Sequence, residues 1–464
     1  MILKSVFMLS PAFLLGIIFV FWFLPTNVNK NILFKLILGA MVGSGLRSVL
    51  FFFWMFVFPE QPAMYVWFEI FLIIIFLILF IKKVGQGWKS IWPFKLNCIK
   101  ALDIYTIAFF VLLLINTIAF FAFSFMKPMG NFDAYAIWEF KAKMIFLNPH
   151  DWQNALNHPA VAFFHPDYPL LIPMLVSNVW FMIGEITTRT PIIVAGFYTL
   201  ALPVLIFTSL RYFRDSSQAL LGSILLFGAP YLFHFGTGQT AELPLAGNVL
   251  TAIILIFLAW HSKQWQFAFL GGLMAGFAAW TKNEGLLYFL VLSIGFVFIS
   301  LARFKRKGIR QLAAWLAGIC LPLFAVLVFK FGHETTSEYL SVSPIDFILD
   351  FDRYGLIVKE MVLQLLKWGG WAQPWLLFYI IYAVLMRRLV NDTNKWQLRF
   401  VFGFIVVILA GFFFIYLITP YPLMWQLTYS LDRLLFQLFP VFILGIMLYT
   451  KSIHEIRKQP EQSD

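Results

Sequence analysis

Long apolar runs recur along almost the whole chain, and the polar positions gather in short clusters between them. A run of about 20 apolar residues is what one helical crossing of a bilayer requires. Runs of that kind, or a little shorter, lie at 5–24, 33–58, 64–81, 104–125, 170–184, 190–210, 217–235, 243–260, 266–281, 285–302, 311–331, 371–386, 398–418 and 433–450. Only two hydrophilic stretches between them are long enough to hold structure of their own, 126–169 and 332–370. The pattern predicts an all-α polytopic membrane protein. Composition agrees: 61% of the 464 residues are hydrophobic and 12% charged, about half the charged share of a soluble domain. The 57 phenylalanines and 17 tryptophans suit lipid-facing helices and interfacial belts.

A net charge of +12 invites a nucleic-acid reading, but its distribution argues against one. Half of the 34 basic residues fall in four short segments, Lys82 to Lys100, Arg303 to Arg310, Arg387 to Arg399 and Lys451 to Lys458. Each abuts an apolar run, as cytoplasmic loops do under the positive-inside rule. The charge therefore reports topology, and no nucleic-acid partner is expected. The two cysteines, Cys98 and Cys320, form no disulfide framework and no CxxC pair. The first apolar run has no small-residue cleavage site after it and reads as a retained helix.

Parity then fixes the faces. With the basic segments inside, 126–169 and 332–370 lie outside. Forward and backward counts agree only if one run between 126 and 236 does not cross. The run 170–184 is the shortest there, about 22 Å as a helix, and prolines 169 and 173 flank its start. Leaving it as a re-entrant or juxtamembrane element gives about 13 transmembrane helices, with juxtamembrane helices in the first large outer loop.

That loop carries the densest chemistry. Asp133, Glu139, Lys141, Lys143, His165 and Asp167 fall within 35 residues, and ionisable groups are costly beside a membrane unless they do something. In NFDAYAIWEFKAKMIF (131–146), Tyr135, Trp138, Ala142 and Ile145 recur on one helical face, which predicts a short interfacial helix. Asp133 at its start fits an N-cap as well as a functional carboxylate, and Glu139 with Lys143 fits an ordinary i,i+4 ion pair. In HPDYPLLIP (165–173) the prolines around Asp167 enforce an extended or turned backbone that can aim His165 and Asp167 into a cleft, or simply make a turn.

Three further clusters fall on the same face. GTGQTAELPLAG (236–247) places Glu242 in the first turn of a helix, where the dipole alone would favour an acid. TKNEG (281–285) places Lys282 and Glu284 at an interface, where a lysine can meet a phosphate or merely anchor the span. SLDRLLFQLFP (430–440) puts Arg433 on the face where arginines are rare, so an anionic partner is expected: a phosphate, Asp432 or another carboxylate. Loop 332–370 ends in KEMVLQLLKWGGW, an amphipathic run suited to a lid or an acceptor surface.

Taken in order, NFDAYAIWEFKAKMIF, HPDYPLLIP, AELPL and AAWTKNEG resemble bacterial members of the GT-C superfamily, among them the protein mannosyltransferase-like and aminoarabinose transferase-like enzymes. The resemblance covers roughly 104–300 and, more loosely, the arginine at 433. It implies a GT-C-like core at 104–302 including outer loop 126–169, preceded by additional transmembrane helices at 1–103 and followed by transmembrane helices and outer loop 332–370 in 303–464. It also implies an inverting glycosyltransferase of the cell (inner or plasma) membrane, with its active site facing outside or the periplasm. The donor would be a polyprenyl-phosphate-linked sugar and the acceptor a glycan, lipid or protein. Asp133 would match the general base and Glu242 the second acid, a departure from the commoner aspartate. Lys282 and Arg433 would hold the carrier phosphate, with Glu139, Lys141, Lys143, His165, Asp167 and Glu284 as further substrate-binding candidates. Some relatives use a divalent metal; with two candidate acids and no ligand triad, none is predicted, and a divalent metal stays open. The competing classes are a lipid-linked oligosaccharide or polysaccharide ligase or polymerase, and a flippase-type transporter. The first would rely on arginines and histidines in a large later loop, and 332–370 has only Arg353 and His333. The second would place ionisable residues in mid-span in two related halves.

Overall fold

The computed structural model describes residues 1–25, 31–85, 103–158, 160, 164–304, 306–332, 344–387, 389, 394–452 and 455–456. Among them the chain is all helical, without a β-strand. In chain order the helices are α1 (Ile2–Phe23), α2 (Ile32–Val57), α3 (Tyr65–Gly85), α4 (Ile104–Met126), α5 (Glu139–Leu147), α6 (Trp152–Asn157), α7 (Leu171–Ile183), α8 (Arg189–Phe213), α9 (Ser216–Phe227) and α10 (Pro230–Thr237). They continue with α11 (Glu242–Ser262), α12 (Trp265–Thr281), α13 (Glu284–Phe304), α14 (Arg306–Phe331), α15 (Pro344–Ile348), α16 (Phe351–Leu366), α17 (Trp375–Leu385), α18 (Lys395–Leu417) and α19 (Leu423–Tyr449).

Ten of these helical segments are long and apolar enough to cross a membrane, and an eleventh crossing arises if α9 and α10 count as one. The protein is therefore a polytopic membrane protein. The difference from the 13 crossings expected lies in two apolar runs that form shorter helices. α12 has 17 residues and α17 has 11, about 25 Å and 16 Å at 1.5 Å per residue. α7, the run that parity left uncrossed, has 13 residues and is buried through most of its length. The run 217–235 does not form the single straight span expected. It breaks at Gly228–Ala229, and α9 and α10 meet at 57°. Pro230 causes the break: it has no N–H to continue the ladder, and it forces Ala229 into an extended backbone (ψ 116°).

α11 is buried from end to end and forms the axis of the bundle, packed on α8, α12 and α19. The outer helices α3 and α4 expose most of their apolar surface, as lipid-facing helices do. The N-terminal helices are joined to this core by side-chain bonds. Ser5 Oγ meets Thr190 Oγ1 at 2.9 Å, and Ser44 Oγ meets Tyr198 Oη at 2.9 Å. α1 and α2 approach so closely that a Cβ at Gly43 would fall 1.9 Å from the Ala12 carbonyl oxygen, so only glycine fits. Inside this group Arg47 and Glu69, both fully buried, form an ion pair, with Arg47 Nε 2.9 Å from Glu69 Oε1.

The two ends of the bundle differ in charge. Lys83 donates to Leu24 O at 2.7 Å, and Phe23 packs on Trp265. Arg310 lies over Trp265, and Arg214 donates to Thr450 O. These contacts gather Lys83, Arg214, Arg310 and the residues around 450 at one end. Of the basic segments, 86–102, Lys305, Arg388, 390–393, 453–454 and 457–464 lie outside the described residues, as does Cys98. The opposite end holds the clusters built from 131–173, 239–244, 281–285 and 433.

Candidate functional site

The segment after α4 turns at Gly130, where Asn131 N donates to Gly238 O at 3.0 Å and fixes it beside the end of α10. Residues Ala134–Trp138 then form a π-helical turn before α5 begins. The wider turn rotates Tyr135 away from the face shared by Trp138, Ala142 and Ile145; those three are buried and Tyr135 is 40% exposed. Asp133 precedes this turn with helical dihedrals and caps nothing. Its carboxylate pairs instead with Arg433 Nη2, 300 positions away in the chain.

Arg433 also holds Glu242. Its Nε and Nη2 lie 3.0 and 2.7 Å from Glu242 Oε1. Lys282 Nζ reaches the same oxygen at 3.1 Å and Glu284 Oε1 at 3.0 Å. Glu242 is fully buried, so its charge persists there only because two cations converge on it. Burial acts against the charge on Lys282, but the Glu242 and Glu284 carboxylates more than offset it and keep the ammonium in place. Asp432, the other partner considered for Arg433, accepts only its backbone N–H, at 2.8 Å.

The strand of chain around Lys282 is tied at each residue. Trp280 Nε1 donates to Ser48 Oγ at 2.9 Å, and Asn248 Nδ2 donates to Thr281 Oγ1 at 3.2 Å. Asn283 Nδ2 donates to Asp167 Oδ2 at 2.5 Å, and Asn283 Oδ1 accepts from Lys330 Nζ at 2.7 Å. Ser48 Oγ in turn donates to Leu171 O at 2.9 Å, so α2 links this turn to the loop HPDYPLLIP. Two lysines hold that loop by its carbonyls. Lys141 reaches Tyr168 O at 2.8 Å and Pro166 O at 3.3 Å, and Lys330 reaches Asp167 O at 2.6 Å. The Tyr168 ring stacks between Trp138 and His165, with Lys141 and Lys282 Nζ at 5.7 and 5.8 Å from its centre.

The structure thus brings Asp133, Glu242, Lys282, Glu284 and Arg433 into one hydrogen-bonded network, with Asp167 and His165 joined to it through Asn283 and Tyr168. Lys141 sits behind the loop; burial pushes its ammonium down to about 7, although Asp167 pulls the other way. Glu139 and Lys143 do not join the network. They make no ion pair among the described residues, and Lys143 acts on Glu139 only through its field. Glu139 is buried beside a cavity of about 10 Å³, the space of one water, lined also by Trp138, Gln239, Thr240 and Pro244. Its Oε1, Trp138 Nε1 and Gln239 Oε1 have no protein partner, and burial lifts its carboxyl to about 7.

Residues of this assembly that were not singled out in the sequence include Ser48, Tyr168, Asn283 and Lys330. Lys330 carried a usable signal, a lone cation at the end of an apolar run away from the basic segments, the same signal that marked Arg433. Ser48 carried none. No group of three or more His, Cys, Asp or Glu among the described residues has metal-binding geometry. No protein-family model, curated protein or solved structure matches the chain.

Proposed function

We propose that the protein is a membrane glycosyltransferase of GT-C type that takes a sugar from a polyprenyl-phosphate carrier and transfers it to an acceptor hydroxyl. One observation carries this reading. Asp133, Glu242, Lys282 and Arg433 come from separate elements and meet at one end of an apolar bundle, opposite the basic end. The positive-inside rule then assigns the network to the outer or periplasmic face, within reach of a donor that stays in the bilayer. On this reading the chain keeps about 13 crossings, α12 and α17 spanning as short helices and α7 not spanning.

The chemistry needs few groups. The acceptor oxygen forms the new bond to the anomeric carbon while the bond from that carbon to the phosphate oxygen breaks, and the phosphate leaves with the electron pair. Asp133 takes the acceptor proton as general base. Arg433 and Lys282 stabilise the charge that grows on the departing phosphate. Glu242 is better suited to holding those two cations at a fixed spacing than to proton transfer, because its Oε1 is already shared by both. Asp133 is 21% exposed and among the described residues pairs with Arg433 alone, so a phosphate that draws Arg433 toward it frees the carboxylate for the acceptor.

Glycan and glycolipid mass spectrometry on cells carrying wild type or Asp133→Asn, at matched membrane levels, tests the reading. Loss of a general base lowers the rate by about 10²–10⁴, so one sugar-sized mass increment should disappear in the variant. A profile identical to wild type would sink the assignment and favour a transporter.

A further inference from the structure

A second built site lies at the other end of α11. A cavity of about 90 Å³ opens between the ends of α8, α11, α18 and α19, lined by Tyr212, Arg214, His261, Asn394, Gln397 and Leu448 among others. His261 is 19 residues beyond Glu242 on the same straight helix, about 28 Å away. That is close to the thickness of the hydrocarbon core, so the cavity and the Asp133–Arg433 network face opposite sides of a bilayer. On the measure by which the cavity beside Glu139 holds one water, this one holds several, which leaves room for a phosphoryl group.

The lining is rich in donors. The Arg214 side chain is 3% exposed. Its Nη2 is committed to Thr450 O and Glu455 Oε2, both at 2.7 Å, while its buried Nε has no partner. Nε itself meets no open space, so the cavity meets Arg214 through the rest of its side chain, which lines it and keeps N–H groups that neither acceptor takes. His261, Tyr212 and Gln397, each able to donate a hydrogen bond, line the same cavity. Basic pockets between helices at this kind of membrane face suit phosphate headgroups.

We propose that this cavity binds a phosphoryl oxyanion through Arg214 and the groups around it, as a site separate from the Asp133–Arg433 network. The shared chemistry has two sources at that face, free phosphate and the phosphodiester of an anionic lipid. The assignment does not depend on the transferase reading.

The test uses the full-length protein in neutral detergent. One arm titrates inorganic phosphate and follows the thermal midpoint; the other measures bound phosphatidylglycerol against phosphatidylcholine by native mass spectrometry. Variants are Arg214→Gln and, because Arg214 also ties α8 to residues 450 and 455, His261→Ala and Gln397→Leu, which leave that tie intact. Saturable binding in either arm, weakened about tenfold or more in the His261 and Gln397 variants, supports the site, and the responding arm names the source. Removal of a hydrogen bond to a charged group accounts for a change of that size. No saturable binding in either arm, or binding unchanged by the variants, would overturn it; equal retention of both lipids beside saturable phosphate binding names free phosphate as the source.

Discussion

Glu139 gives the sharpest quantitative test of the local electrostatics. Its carboxyl is buried, unpaired and raised from 4.5 to about 7 by desolvation, with the field of Lys143 opposing. Between those two values the folded chain holds a proton that the unfolded chain has lost. Stability therefore falls as pH rises through the window and is flat above it. At about 1.4 kcal/mol per pH unit the shift corresponds to about 3 kcal/mol. Glu139→Gln keeps the shape and removes the titration. Relative to wild type it should be near neutral at pH 4.5 and more stable by up to about 3 kcal/mol at pH 8. Lys141, which titrates near 7 in the fold, is common to both proteins, so its slope cancels in the difference. For 464 residues the usual unfolding entropy gives about 1 kcal/mol per degree, so the midpoints should separate by about 3 °C. Thermal unfolding of both proteins in one detergent, from pH 4.5 to 8.5, reads this directly. A difference that stays constant with pH, or a variant less stable at pH 8, would refute the claim that Glu139 is held uncharged.

Three further outcomes follow from the same geometry. Glu242→Gln leaves Lys282 and Arg433 short of their shared carboxylate and should cost about 3–5 kcal/mol, seen as a lowered thermal midpoint; an unchanged midpoint would mean the network is not bonded as described. Ser48→Ala strips the acceptor from Trp280 Nε1 and the donor from Leu171 O, a loss of about 1–3 kcal/mol. On the proposed transferase reading it should also lower transfer, and full activity at a normal midpoint would count against α2 as a support for the site. Gly285→Ala would place a Cβ 1.8 Å from the Ala278 carbonyl and displace the Lys282–Glu284 turn, whereas Gly403 has nothing within 4 Å. Activity should vanish in the first variant and survive in Gly403→Ala; equal activity in both would show that the turn tolerates movement.

How far the sequence reached varies by element. The apolar runs predicted most of the long helices to within a few residues, because a segment surrounded by lipid must satisfy its backbone internally and only a helix does so; the last was an exception, since α19 begins at Leu423, ten residues before the run at 433–450, and carries Arg433 inside the helix. The break at Pro230 was present in the sequence, but hydropathy alone passes over it. Asp133 shows the harder case. Its position before a helix fits a cap as well as a functional carboxylate, and the carboxylate turns to Arg433, whose full positive charge outweighs the dipole of a backbone N–H. Glu139 and Lys143 had ideal i,i+4 spacing, and tertiary packing separated them by burying Glu139 against α7 and the loop before α11.

By itself, then, the sequence determined the class of the protein, the run of its helices and the segregation of charge, since burial in lipid constrains each segment locally. It also marked which polar residues lie near one end of the bundle. Which of them touch was decided only by the fold. Asp133 and Arg433 are 300 positions apart, and their meeting depends on how α11, α12 and α19 pack, on the bend at Pro230, and on Ser48 bracing two loops from α2. Pairing in a buried site is set by the sum of many packing contacts, and that sum cannot be read from the spacing of residues along the chain.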